Sequence, residues 1–300
     1  MASKVILITG ASSGIGRAMA AHLTQQGYQV FGTSRAPQAD LLDGFTLLPL
    51  DVTSDESVRA CVAEVMSRAG RLDVLINNAG VDLLGALEET SMDEAKRLFE
   101  TNFFGVARMV QAALPHMRAR RSGQIINVSS GLGRVVWPFE GMYIASKHAL
   151  EAYSETLAYE LLPFNIRVSI IEPGYFKTNI GASMHITPPL ADYQPTRDRA
   201  LKLMLGWLDD APLPEMMGRV AQGIIESRAP RLRYPAGLDA AFAVRVVPLI
   251  PRGLLMKVGR WALGVDDWRR DLLRYGGWIG AALALAGMLR QRKQPPDRSA

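Results

Sequence analysis

Short apolar runs recur along the first two-thirds of the chain, at Val5 to Ile8, Tyr28 to Thr33, Phe45 to Leu50, Val74 to Ile76, Gln124 to Val128 and Ile166 to Ile171. The stretches between them are long enough for helices, and strands alternating with helices predict an α/β fold on a doubly wound parallel sheet. One intervening stretch carries a broad apolar stripe: Ala95, Leu98, Phe99, Asn102, Val106, Met109, Val110, Ala113 and Leu114. Its three- and four-residue spacing is that of a buried helix face. The polar member, Asn102, has to be hydrogen-bonded, because an unpaired amide in such a stripe costs stability. Residues 179–235 change character, with Pro188, Pro189, Pro195, Pro212 and Pro214 around a helix-like segment from Arg197 to Leu208. No internal repeat or long low-complexity linker divides the chain, which reads as a single domain.

Two local motifs carry chemistry. Thr9-Gly10-Ala11-Ser12-Ser13-Gly14-Ile15-Gly16 follows the first strand-like run and opens a helix-like stretch. Glycines at such a turn let the backbone approach a pyrophosphate closely, while the helix's first N–H groups and positive end face it. Tyr143-Ile144-Ala145-Ser146-Lys147 places a phenol and an ammonium one helical turn apart on one face. A nearby cation favours the phenolate, so this spacing predicts a tyrosine with a lowered pKa, suited to acid–base work.

Composition narrows the class. With 300 residues, 48% hydrophobic and 21% charged, the chain can bury a large core as a globular protein. The single cysteine, Cys61, excludes an internal disulfide, and with Val58, Val62, Val65 and Met66 it shares a helical face as a small buried hydrophobe. Val5 to Ile8 is too short for an export segment, so a cytoplasmic location is expected. No metal is expected.

In these motifs the chain resembles the short-chain dehydrogenase/reductase family. Thr9 to Gly16, Asn77-Asn78-Ala79-Gly80, Ser129-Ser130, Tyr143 with Lys147, and Pro173-Gly174 with Thr178 follow the family's order. The resemblance is dense over about residues 4–180 and implies a Rossmann-type catalytic domain over 1–255, with a helical substrate lid at about 179–235 and an extension over 256–300. It also implies four catalytic side chains. Tyr143 would exchange a proton with the substrate oxygen, Ser130 rather than Ser129 would bond that oxygen, and Lys147 would lower the tyrosine pKa and bind the nicotinamide ribose. Asn102 would hold a water linking Lys147 to solvent. A nucleotide-sensing or scaffold protein of the same fold without turnover is the alternative, and the presence of all four side chains weighs against it.

Cofactor contacts are implied for Gly10, Ser12, Ser13, Gly14, Ile15, Gly16, Asp51, Val52, Asn78, Ala79, Gly80, Tyr143, Lys147, Pro173, Gly174 and Thr178. The choice of cofactor rests on Thr33-Ser34-Arg35, about 20 positions past the glycine turn, where a carboxylate would bond the ribose 2′-hydroxyl of NAD. No carboxylate is present there, and Arg35 can fork to a 2′-phosphate, so NADP(H) is expected. Leu83, Leu84, Trp137, Phe139 and Met142 are candidates for an apolar pocket. Arg231-Leu232-Arg233-Tyr234-Pro235 looks like hydroxysteroid and retinol dehydrogenase members, implying a lipophilic small-molecule substrate; a homo-oligomer, dimer or tetramer, is also expected.

The carboxyl end differs from the rest. Residues 251–300 hold ten Lys/Arg and four Asp/Glu, and Gly276 to Leu289 is uncharged and followed by Arg290, Arg292 and Lys293. Fourteen residues are too few to span a bilayer, so 276–293 is expected to dock on the body, pack on a second subunit or touch a membrane surface peripherally. Nucleic acid is not expected as a partner.

Overall fold

The computed structural model describes residues 3–178 and 184–265; the expected 276–293 segment lies outside them. In chain order the elements are β1 (Val5–Ile8), α1 (Gly14–Gln25), β2 (Gln29–Ser34), β3 (Leu41–Leu42), β4 (Phe45–Pro49), α2 (Asp55–Ala69), β5 (Val74–Asn77) and β6 (Leu83–Leu84). The middle of the chain forms α3 (Met92–Phe99), a π-helical turn Glu100–Phe104, α4 (Gly105–Ala119), β7 (Gly123–Val128), α5 (Gly141–Glu160) and β8 (Ile166–Pro173). After these come β9 (His185–Ile186), α6 (Gln194–Asp209), α7 (Met216–Glu226), β10 (Arg233–Ala236), α8 (Leu238–Arg245) and α9 (Arg252–Ala262).

The main sheet runs β10-β8-β7-β5-β1-β2-β4-β3, parallel throughout except for β3, which lies antiparallel to β4. Because side chains alternate along a strand, β1 feeds both layers of core. Val5 and Leu7 join Val62 and Val65 of α2, Met109 and Val110 of α4 and Leu150 and Leu157 of α5, whereas Ile6 and Ile8 join Met19 and Leu23 of α1 and Met217, Ala221 and Ile224 of α7. Cys61 lies in the first of these layers and is 3% exposed. Burial, with Glu64 adding, pushes its thiol up to about 12.

Strand order reverses at β1, which has β2 on one side and β5 on the other, and in open α/β sheets the crevice at such a point, beyond the strands' carboxyl ends, is where ligands bind. Two elements within the stretch expected as a lid belong to the body instead. Helix α7 packs its buried face on the sheet, and β10 pairs with β8 as an edge strand that tolerates Pro235 because one side of its backbone needs no partner. Helix α9 runs across the expected boundary at 255/256.

Candidate active site

The turn between β1 and α1 is built for close backbone approach. Gly10 and Gly14 have φ of +67° and +56°, conformations that favour glycine, and a Cβ at Gly16 would lie 2.2 Å from the Gly10 carbonyl oxygen. Asn78 braces this turn: its amide donates to the carbonyls of Thr9 (3.0 Å) and Gly10 (3.1 Å), while Thr9 Oγ1 accepts from the N–H groups of Asn78 and Ala79. Ser12 and Ser13 are exposed. Ser13, at the start of α1, makes no side-chain bond to the helix, and no acidic residue occupies the first turn. The positive end of α1 is therefore uncapped by any side chain, and this cradle fits a dinucleotide pyrophosphate.

The remaining cofactor candidates gather on the same edge of the sheet. Arg35 follows β2 and is exposed. Asp51 follows β4, where bonds from the Thr53 N–H and hydroxyl, together with Arg35 and Arg108, hold its carboxyl below the usual range. Val52 packs on Gly105, and Ile15 is half-buried against the second core layer. Pro173 ends β8, Gly174 donates to the Ala236 carbonyl at 2.9 Å, and Thr178 returns to within van der Waals reach of Gly14. Gly80 faces Lys147 Nζ and Asn102 Oδ1, which a Cβ there would approach to 3.8 and 3.4 Å.

Asn102 sits in the π-helical turn, 1% exposed. Such a turn displaces one residue from the α-helical ladder, and they recur at functional positions. Its Oδ1 accepts from the Val81 N–H (2.9 Å), and its amide donates to the Val81 carbonyl (2.9 Å) and Ser146 Oγ (3.2 Å). Both amide hydrogens are thus spent on protein partners. These bonds make the side chain a brace between the loop after β5 and the tyrosine helix.

Helix α5 presents Tyr143 and Lys147 on one face, as their spacing requires. Ser130, at the end of β7, accepts from the Leu132 N–H and lies within hydrogen-bonding reach of the Tyr143 phenol. Ser129 is buried with its hydroxyl unpartnered among the described residues. Lys147 is 5% exposed and donates to the Val128 carbonyl at 3.0 Å. Burial lowers its ammonium to about 8 against the opposing pull of Asp82 and Glu151.

One expectation is corrected here. The Tyr143 phenol is pushed up, not down: burial is the main cause, the charges of Asp82 and Glu140 add to it, and only the bond with Ser130 opposes it. Lys147 Nζ stands 5.7 Å from the ring centroid and donates one of its hydrogens to a main-chain carbonyl.

Asp82 and Glu140, which motif reading passed over, are carboxyls whose charge bears on Tyr143. Both are buried, at 8% and 2% exposure. The only signals in the sequence were an acid inside the apolar Val81-to-Ala86 run and another three residues before Tyr143, on its side of the helix start. Phe139, just before Glu140, has φ +68°, a strained conformation for a bulky residue, and its carbonyl accepts from Gly85 N–H at 2.7 Å.

Of the apolar candidates, Trp137 meets Trp207 of α6 edge-on at 5.0 Å, and Trp207 also packs on Tyr175 at 5.7 Å. Leu83 and Leu84 are buried in β6, whereas Met142 lines a separate groove with Met92, Ala95, Phe99 and Phe104 of the α3–α4 helix.

Known proteins share this arrangement. Residues 4–188 match the family model described as short chain dehydrogenase. A 3-ketodihydrosphingosine reductase from Bacteroides thetaiotaomicron is 42% identical over 79% of this chain and 89% of its own length. Retinol dehydrogenase 8 from Bos taurus is 45% identical over 58% of this chain and 59% of its own. Among solved structures, a short-chain dehydrogenase from Streptomyces avermitilis superposes with a TM-score of 0.75 at 34% identity, covering 94% of this chain and 98% of that one. An alcohol dehydrogenase from Thermococcus sibiricus, solved with 5-hydroxy-NADP, gives 0.63 at 26% identity, covering 78% and 95%. The chain belongs to the short-chain dehydrogenase family, as an oxidoreductase that works on carbonyl and alcohol groups with a nicotinamide cofactor.

Proposed function

We propose that the protein is an NADP(H)-dependent oxidoreductase for the C=O/C–OH group of a lipophilic alcohol, ketone or aldehyde, with Tyr143 as the proton donor in the reductive direction. The observation that carries this reading is the Tyr143 phenol within reach of Ser130, with buried Lys147 one turn further along the same helix face, at the carboxyl edge of the sheet.

When bound, the reduced nicotinamide supplies the hydride that adds to the carbonyl carbon. Ser130 orients the substrate oxygen, and Tyr143 gives that oxygen its phenolic proton as negative charge develops. Lys147, with an ammonium near 8, returns a proton to the tyrosinate. Asn102 fixes the tyrosine helix through Ser146, whose hydroxyl also donates to the Tyr143 carbonyl at 2.7 Å. A lipophilic substrate is supported by the Trp137, Trp207 and Tyr175 rings beside the site, and by relatives named for retinol and 3-ketodihydrosphingosine. NADP(H) is supported by Arg35 in a Thr33-Ser34-Arg35 strand end with no carboxylate. A homo-oligomeric assembly accompanies this reading, and sedimentation velocity measures it.

Titration of the protein with NADPH and NADH tests the cofactor, and a panel of long-chain ketones, aldehydes and secondary alcohols, followed by nicotinamide absorbance, tests the substrate class. NADPH is expected to bind more tightly. Arg35→Ala removes a charge-assisted fork of roughly 1.5–3 kcal/mol, about ten- to 150-fold in NADPH affinity, with NADH little changed. Equal binding curves for the two cofactors in the unaltered protein would refute the NADP(H) assignment.

A further inference from the structure

Glu151 and Arg233 stand behind the catalytic lysine, and the mechanism above uses neither. Lys147, Glu151 and Glu155 recur every four residues along α5 and so share one of its faces. Glu151 is 4% exposed, whereas Glu155 is half-exposed. Arg233, on the edge strand β10, spans these two acids: its Nε lies 3.1 Å from Glu151 Oε2 and its Nη2 lies 2.8 Å from Glu155 Oε2. The same Nε stands 3.7 Å from Oε1 of Glu172, the fully buried acid of β8 that precedes Pro173. Positive and negative groups therefore alternate from Lys147 through Glu151 and Arg233 to Glu155.

The Glu151 carboxyl also packs beside the peptide that anchors the lysine. Lys147 Nζ donates to the Val128 carbonyl, and the next residue, Ser129, turns its hydroxyl toward Gly133. A Cβ on Gly133 would lie 2.7 Å from Ser129 Oγ, 3.1 Å from Glu151 Cγ and 3.4 Å from Glu151 Oε1. The glycine leaves room for both side chains in that space. Two acids, Asp82 and Glu151, pull on Lys147 against its burial. Asp82 is held by a main-chain bond from the Leu83 N–H, and burial pushes it up to about 6. Glu151 is held by a guanidinium, which is charged at any working pH and supports a carboxylate through a charge-assisted bond. Glu172 competes weakly for that cation below neutrality, because burial and the charge of Glu151 push it up to about 7. Arg134 and Arg245 bear on Glu172 as well, and Arg134 on Glu155.

We propose that Glu151, clamped by Arg233, is a positioning residue for the reaction: its carboxylate keeps Lys147 in the ammonium form that returns a proton to Tyr143. This rests on the oxidoreductase reading above and adds to it the group that sets the pH range over which the lysine works. Glu151 touches neither the substrate nor the reacting atoms. In the reductive direction Tyr143 gives its proton to the substrate oxygen, Lys147 gives one to the tyrosinate, and solvent restores the lysine. Glu151 transfers no proton and acts through the lysine alone.

Two readouts test it. In ligand-free protein isotopically labelled at the lysine ε-carbon, the Lys147 resonance, assigned by its loss in Lys147→Met, is titrated by NMR. Its midpoint is expected to fall by about one pH unit in Glu151→Gln and to stay near the unaltered value in Glu151→Asp, which keeps the charge. In reduction of a carbonyl compound of the panel at saturating NADPH, the alkaline limb of the kcat/KM profile should move to lower pH by the same amount, whichever way the plateau moves. A side chain that only packs would lower the plateau and leave both midpoints in place. Glu151→Met, which removes the charge without burying an amide, serves as a second variant if the glutamine protein folds poorly. Unmoved midpoints in the neutral variants overturn the proposal while leaving the oxidoreductase reading intact. A lysine midpoint that moves in a protein unable to reduce any carbonyl compound of the panel overturns the oxidoreductase reading, and the catalytic part of the proposal with it.

Discussion

Tyr143 concentrates the chemistry, and its environment sets the size of the expected effects. Tyr143→Phe keeps the ring and removes the proton, so kcat should fall by about 10²–10⁴, with NADPH affinity nearly unchanged, in single-turnover measurements. A variant retaining half the rate of the chemical step would remove Tyr143 from its role. Buried carboxyls produce a second effect, in stability. Burial pushes Glu140 up to about 8, Glu172 up to about 7 and Asp82 up to about 6, like-charge repulsion adding for the first two and the Leu83 N–H and Lys147 opposing it for Asp82. Groups whose folded values are raised give stability that is fully present below the usual carboxylate range and lost as pH rises through their folded values. The ligand-free protein should therefore melt at lower temperature as pH goes from about 5 to about 8, and Glu140→Gln should flatten that slope, by about 2–4 °C for each kcal/mol recovered. An unchanged slope in the variant would show that Glu140 is ionised freely in the folded protein. Lys147, lowered to about 8, acts in the opposite sense only above that pH. At this scale the sequence made Ser130, Tyr143 and Lys147 legible because their spacing is local. Asp82 and Glu140 lie 58 residues apart and meet only through the β6–α5 contact, which no linear spacing encodes.

The elements that hold these residues were legible where their pattern is periodic. Strands β1, β2, β4, β5, β7 and β8 fall where apolar runs place them, because strands buried on both faces read as near-continuous apolar runs. The stripe from Ala95 to Leu114 was also visible, but not its π-helical turn, since one displaced residue in a ladder leaves the three-and-four spacing intact. Strand β10 was hidden by Pro235 and by the half-exposure of an edge, and α7 by its place after a proline-rich stretch. The β1–α1 turn carries an expectation of its own. Gly16→Ala puts a methyl 2.2 Å from the Gly10 carbonyl and 2.4 Å from the Asn78 amide, both of which hold the turn in shape. The overlap should cost about 1–3 kcal/mol in urea unfolding, and the displaced backbone should weaken NADPH and NADH alike, unlike Arg35→Ala. Selective loss of NADPH alone would place the phosphate contact elsewhere.

Over the whole molecule, one sheet with helices on both faces supports a covering segment that is pinned by a buried ion pair. Arg197 of α6 reaches Glu89 Oε2 at 3.1 Å and the Thr187 carbonyl at 2.6 Å, and Glu89 also accepts from the Ala86 and Leu190 N–H groups. The segment is thereby joined to the loop that leads from β6. Among the described residues no helix is long and apolar enough to cross a membrane. The packing of α2 against the sheet has a practical corollary. A thiol reacts as its thiolate, and the chain's lone sulfhydryl is both covered by neighbours and reluctant to ionise. Alkylating reagents should leave the native enzyme unmodified and active, and modify one position per chain once denaturant opens that layer. The rate of alkylation under native conditions then becomes a clock for opening of the α2 side of the sheet, readable by mass spectrometry without any engineered label; rapid modification of the native enzyme would mean that this layer opens far more often than its packing implies.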